Sequence, residues 1–231
     1  MSFKKLGIAL AAFAALGAVL ASSAVAGTPV TEAAAWTKTV GGETKTIAEE
    51  GITCRHTAGE ENFVFKSKVL GQNLKMTGTG ISCTGAKVVT TGSGATSMAG
   101  AEGVIEFSSI TVNEPAGCVA PNVKTNTLVA DLQMDSVNKN NGYVKFTPKT
   151  GTTFANIKLE KCAAAGTYPV NGVVYGQATS PTNEHKVNQQ VAGNETTHAM
   201  SSLTLGKEAA TLTGEFEVEL ASGAAWGAEH P

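Results

Sequence analysis

Glu215-Phe216-Glu217-Val218-Glu219-Leu220 alternates apolar and acidic residues without a break. Successive side chains of an extended strand leave on opposite faces, so Phe216, Val218 and Leu220 share one face and three glutamates the other, as in a half-buried strand. The same period of two runs through residues 128–135, placing Leu128, Ala130, Leu132 and Met134 opposite Val129, Asp131, Gln133 and Asp135. Further strand signals cover residues 63–70, 74–83, 87–91, 104–112, 143–147, 154–159, 170–175 and 203–205, each bounded by Gly, Pro, Asn or Ser. Asn138-Lys139-Asn140-Asn141-Gly142 accepts the positive φ of a tight turn and predicts a hairpin between its flanking strands. The small-residue run 92–103 reads as a flexible crossing loop. Helical signal is confined to residues 31–36, with Thr31 as cap, and Lys66, Lys68 and Lys75 read as guards on exposed strand edges. Many short strands at close spacing predict an all-β fold, an antiparallel β-sandwich or a partly open barrel.

The first 26 residues carry a different pattern. Lys4 and Lys5 precede an apolar run over residues 6–20, and Ala24-Val25-Ala26 offers small residues for cleavage, the order of an export signal. Cleavage would start the mature chain at Gly27 and leave 205 of the 231 residues, with 15 basic residues against 19 acidic. That length suits one domain. The predicted organisation is a signal peptide at 1–26, an irregular N-terminal arm or edge strand at 27–50, a β-domain at 51–223 and a C-terminal tail at 224–231. No membrane span is expected after cleavage.

Export exposes Cys54, Cys83, Cys118 and Cys162 to an environment in which disulfides persist. Four cysteines admit three connectivities. An internal echo favours Cys54–Cys83 and Cys118–Cys162: Phe107-Ser108-Ser109-Ile110-Thr111-Val112 and Phe154-Ala155-Asn156-Ile157-Lys158-Leu159 share the pattern Phe-x-x-Ile-x-(Val/Leu) and each runs on to a cysteine. Neighbouring equivalent strands would bring those cysteines within bridging distance. No Cys-x-x-Cys pair is present, and His56, His185, His198 and His230 form no pair at ligand spacing, so neither a metal nor another cofactor is expected.

Composition narrows the chemistry further. Only Asp131 and Asp135 among the 19 acids are aspartates, and Arg55 is the single arginine. This argues against clustered calcium ligands, against a Ser-His-Asp hydrolase without a Gly-x-Ser-x-Gly elbow, and against a basic nucleic-acid surface. Glu106, Glu160 and Glu217 are the carboxylates a glycosidase would draw on, but outward glutamates on strands are ordinarily solvated surface. Trp36, Trp226, Tyr143, Tyr168 and Tyr175 are the aromatics a sugar site would use, and the two tryptophans also suit clasping the termini onto the domain.

At Val112-Asn113-Glu114-Pro115-Ala116-Gly117-Cys118, Ile157-Lys158-Leu159-Glu160-Lys161-Cys162 and residues 202–214 (SLTLGKEAATLTG), the chain resembles a group of secreted bacterial β-rich proteins of unassigned function. The resemblance runs over residues 63–223 and implies a shared β fold with these cysteines in equivalent places. It implies no activity, and residues 27–50 match least. The resulting expectation is a secreted, non-catalytic β-domain protein of the cell envelope or extracellular space with a structural, adhesive or binding role. Cell-wall glycan or other envelope proteins are the partners that this admits. A carbohydrate-binding module or a small secreted hydrolase is the alternative.

Overall fold

A computed structural model describes residues 29–30, 33–56, 62–93, 97–135, 142–178, 189–193 and 195–229. The expected export signal at 1–26 and residues 138–141 of the expected turn lie outside these. The strands are β1 (Pro29–Val30), β2 (Ala35–Val40), β3 (Glu43–Thr46), β4 (Glu49–Arg55), β5 (Phe63–Val69), β6 (Gln72–Thr91), β7 (Met98–Glu114), β8 (Val123–Lys124) and β9 (Leu128–Asp135). There follow β10 (Gly142–Pro148), β11 (Thr153–Leu159), β12 (Gly166–Asn171), β13 (Val174–Ala178), β14 (Gln189–Gly193), the short helix α1 (Glu195–Met200), β15 (Leu203–Leu205), β16 (Glu208–Leu220) and β17 (Trp226–Glu229).

Their pairing resolves into eight antiparallel staves that run up and down: β4 then β5, β6, β7, β8 then β9, β10 then β11, β12 then β13, β14 then β15, and β16. Three staves are single long strands; the other five are each broken into two consecutive strands. β16 closes the ring against β4, with Val218 opposite Cys54, and against β5, with Gly214 opposite Phe63. Where β8 ends, the bridge Thr125–Ala155 and the Asn126 N–H to Phe154 carbonyl bond (2.9 Å) carry the wall across to β11. The architecture is thus all-β, a closed antiparallel barrel with additional strands: of the two expected forms it is the barrel and not the sandwich, closed where a partly open one was expected. Period-two alternation requires one buried face; it does not distinguish two facing sheets from one sheet curled on itself.

The interior holds two apolar clusters stacked along the barrel. One is built on Phe63, Phe65, Leu74, Met76, Phe107, Phe154, Ile157, Leu159, Leu203 and Leu205. The other contains Val88, Leu132, Val144, Val218 and Leu220, together with Trp36 and Trp226. Phe216 and Phe146 touch both. Phe216, Val218 and Leu220 of β16 and Leu128, Ala130 and Leu132 of β9 pack into these clusters, as their alternation predicts.

At the waist between the clusters the alternation slips. Ser109 adopts φ 55°, which lets Phe107, Ile110 and Val112 all face the core. In β11 a register shift between Thr153 and Ala155 does the same for Phe154, Ile157 and Leu159. The odd Phe-x-x-Ile spacing of the echo is therefore the imprint of a positive-φ residue in β7 and of a register shift in β11. Nearby, the Phe63 ring lies over Gly78 on β6, where a Cβ would stand 2.4 Å from the ring, and Gly214 on β16 packs against the Phe63 backbone. Both flank Phe63 in the ladder, and neither position has room for a side chain.

Breaks in the wall are closed by specific groups. Between β4 and β5 the buried Asn62 gives its backbone N–H to the Gly78 carbonyl (2.9 Å) and its side-chain amide to the Thr79 carbonyl, and its own carbonyl accepts the Glu215 N–H (3.0 Å). The Cys54–Cys83 disulfide ties β4 to β6 at the same interruption. At the far end Cys118–Cys162 joins the β7–β8 loop to the β11–β12 loop, beside the bridge Val119–Glu160. Both pairings are those the echo favoured, but β7 and β11 are not hydrogen-bonded neighbours. β8 lies between them, and the loops beyond the strands make the contact.

The outermost segments also differ from expectation. Residues 35–46 and 226–229 are not an arm and a tail: β17–β2–β3 form a small separate sheet. Residues 35–36 are strand where a helical turn was expected, because Trp36 is drawn inward and paired with Ala228. Residues 98–103 belong to β7 and not to a loop. Residues 74–91 are one continuous strand. The signal at 170–175 is split at Gly172, where the chain leaves β12 for β13. Lys66 and Lys75 do not guard an open edge: Lys66 lies between Thr211 and Lys75, and Lys75 between Lys66 and Glu114, while Lys68 is paired with Asn73.

Candidate functional site

The most differentiated region is the barrel end covered by β17–β2–β3. β2 and β17 deliver Trp36 and Trp226, both about 4% exposed or less, into the barrel as an edge-to-face pair with ring centroids 5.6 Å apart. Each indole N–H is satisfied by a wall carbonyl, Trp36 Nε1 on Gly100 (2.7 Å) and Trp226 Nε1 on Val218 (2.9 Å). The Trp36 backbone N–H donates to Thr90 Oγ1 (2.9 Å), and Ala34 N–H donates to the Ser97 carbonyl. The sheet is therefore a plug that fills the barrel mouth and bonds to β6, β7 and β16.

A buried-side ion pair clamps it in place. Lys38 Nζ on β2 stands 2.6 Å from Glu50 Oε2 on β4, while Glu50 Oε1 accepts the Ser222 N–H at 3.1 Å. Burial tends to raise the Glu50 pKa. The Lys38 and Ser222 hydrogen bonds and the Lys38 charge outweigh it, holding the carboxyl below the usual carboxylate range.

Outside the same wall lies a groove of about 370 Å³ over β6, β7 and β9. Val89, Gly100 and Asp131 are in register across the three strands, so the missing side chain of Gly100 leaves a depression between a valine and a carboxylate. Exposed Met98 forms one lip, and Glu102, 2.6 Å from Lys149 Nζ, forms the other. Thr91 and Gln133 complete its polar lining. Gly100 thus serves both surfaces: its carbonyl anchors Trp36, and its bare Cα floors the groove. The groove offers carboxylate, amide and hydroxyl groups beside a thioether, a set suited to hydrogen-bonding a hydroxyl-rich ligand.

The carboxylates weighed for catalysis are each engaged with a separate neighbour. Glu217 pairs with Arg55 (3.0 Å), Glu106 accepts from Asn122 Nδ2 (3.1 Å), and Glu160 pairs with Lys158 (2.6 Å), whose hydrogen bond and charge lower the Glu160 pKa. The aromatics weighed for sugar binding are mostly internal. Tyr143 is buried, and Tyr168 O–H donates to the Ala164 carbonyl (2.9 Å). His56 is exposed beyond β4; His185 and His230 lie outside the described residues. Among the described residues no group of three or more His, Cys, Asp or Glu is placed to hold a metal ion. Sequence reasoning missed Gly100 and Asn62, whose roles depend on groups brought in from other strands, Trp36 and Asp131 for the one and Gly78 and Glu215 for the other, and it gave Glu50 no role. Comparison of the chain with protein-family models, with curated proteins and with solved structures finds no match.

Proposed function

We propose that the chain is an exported, non-catalytic barrel protein of the cell envelope or extracellular space with a structural or adhesive role. The observation that carries this reading is the placement of the two disulfides. Cys54–Cys83 sits at the β4–β5 break in the wall, and Cys118–Cys162 ties two end loops together beside the Val119–Glu160 bridge. Such bridges contribute most in an oxidising compartment. The outer face supports a water-exposed setting: Lys66, Lys87, Glu102, Lys158 and Glu217 lie on it, whereas a lipid-facing barrel presents an apolar band about 25 Å tall. No helix among the described residues is long and apolar enough to cross a membrane.

The test is fractionation of the native cells, followed by N-terminal sequencing and peptide mapping without reduction. Recovery outside the cytoplasm, starting at Gly27, with both bridges formed supports the proposal. Recovery of reduced, uncleaved protein in the cytoplasm refutes it. A second reading, recognition of cell-wall glycan, is favoured by the Gly100 groove. Binding of purified protein to a glycan panel that is lost in Asp131→Ala, with the fold retained, would establish that reading.

A further inference from the structure

Among the described residues the plug sheet ends in an open edge, whose geometry fits a second copy of itself. Gly41 and Gly42, at φ 61° and 84°, make the two-residue hairpin turn between β2 and β3, and Val40 faces Glu43 across it. Such a turn makes Val40–Glu43 a hydrogen-bonded pair, so Lys38–Lys45 and Trp36–Ile47 are hydrogen-bonded too. The Ile47 N–H to Trp36 carbonyl bond of 2.7 Å agrees with this. By alternation the N–H and C=O of Thr44 and Thr46 face away from β2, toward the edge. Thr39, opposite Thr44, likewise sends its N–H away from β3, to the Ala225 carbonyl (2.9 Å). All four residues of β3 are exposed, and β3 is the outermost strand of its sheet.

We propose that two copies of this chain associate through antiparallel pairing of β3 with β3 about a twofold axis at Thr44. In that register each Thr44 exchanges both backbone hydrogen bonds with its counterpart. Glu43 of each copy then stands opposite Lys45 of the other in a non-hydrogen-bonded pair, where side chains approach most closely. A lysine on an edge strand ordinarily repels a neighbouring edge. Here Glu43 lies two residues away on the same face, 3.3 Å from Lys45, and antiparallel pairing exchanges this in-strand ion pair for two cross-strand ones. The pairing joins two three-stranded plugs into one six-stranded sheet. It stands independently of the proposed location of the protein.

The experiment is sedimentation equilibrium of the mature protein up to about 1 mM, since a short edge contact is a low-affinity one. Wild type is expected to show a reversible monomer–dimer equilibrium. Lys45→Glu and Glu43→Lys, each placing like charges opposite in both pairs, are expected to weaken it about tenfold. The exchange variant Glu43→Lys/Lys45→Glu restores the opposite-charge pairs and is expected to recover the wild-type constant. A strictly monomeric wild type at all concentrations overturns the proposal. So does a dimer indifferent to the single reversals, or one that the exchange variant fails to recover. The register has its own check: mixed Glu43→Cys and Lys45→Cys chains should form the mixed disulfide in preference to either homodimer, and equal yields of the three would overturn the register.

Discussion

Replacing Trp226 by alanine should release the plug from the barrel. Trp226 is 3% exposed, meets Trp36 edge to face, and donates its indole N–H to the Val218 carbonyl. Truncating a buried tryptophan typically costs about 3–5 kcal/mol, of which the ring pair accounts for roughly 0.5–1.5 kcal/mol beyond area. The plug is held mainly through its two indoles, so the variant should lose about 4 kcal/mol of stability, the middle of the range for a buried tryptophan. Trp36 and Trp226 are the only tryptophans, so intrinsic fluorescence reports on the plug alone. Denaturant titration followed by fluorescence and by far-ultraviolet circular dichroism would measure both. In Trp226→Ala the remaining Trp36 emission should shift toward that of water-exposed indole at denaturant concentrations where the barrel signal persists. A loss below about 1 kcal/mol, or unchanged shielding of Trp36 from a soluble quencher, would refute the claim that the indole pair seats the plug.

Three further outcomes follow from the wall and the clamp. Removing Cys54–Cys83 or Cys118–Cys162 by paired substitution should lower stability by about 2–4 kcal/mol each, read from denaturant midpoints without reductant; bridges closing 29 and 44 residues fall in that range. Gly78→Ala forces a Cβ into the Phe63 ring and should destabilise by about 1–3 kcal/mol, whereas alanine at exposed Gly71, in the β5–β6 turn, meets no neighbour and is penalised only by its φ of 78°. Because the folded Glu50 carboxyl titrates below its usual range, its contribution is present above that range and is lost as pH falls through the lowered value. The stability gap between wild type and Glu50→Gln should therefore be widest near neutrality and close in acid, as denaturant titrations across pH 2–7 would register.

Residues 215–220 and 128–135 show what local pattern carries. Their alternation identified the inward faces of β16 and β9, because burial on one side of a strand is written in every second residue. The disulfide partners were legible as well, through an echo whose spacing records a positive-φ residue in β7 and a register shift in β11. What was not legible depends on long-range closure. Nothing near Trp36 announces that it pairs with a strand more than 190 positions later, and the alanine-rich stretch at 31–36 has no intrinsic reason to prefer strand over a helical turn at Trp36 until Ala228 lies beside it. Likewise, whether a set of antiparallel strands makes a sandwich or a ring is decided at β4 against β16, a pairing spanning about 160 residues. The candidate groove shares this property: Gly100 becomes a depression only because Val89 and Asp131 flank it.

A scarcity of large side chains explains why the staples matter to this barrel. Eight strands enclose an interior just wide enough for side chains to fill. With 6% aromatic residues and 26 glycines, this chain fills it incompletely, leaving apolar voids of about 60, 50 and 30 Å³ in succession along the two clusters. At roughly 24 cal/mol per Å³, the largest costs about 1.4 kcal/mol in packing forgone. A disulfide in the wall beside that void, and a plug that brings two indoles to its mouth, supply stabilisation of the same order or more. Cys54 and Cys83 line the void themselves, as do Trp36 and Trp226. The half of the barrel with the looser core is thus the half that carries both the cross-link within the wall and the plug, and the bridge at the other end ties loops around a core already packed by Phe63, Phe65, Phe107 and Phe154.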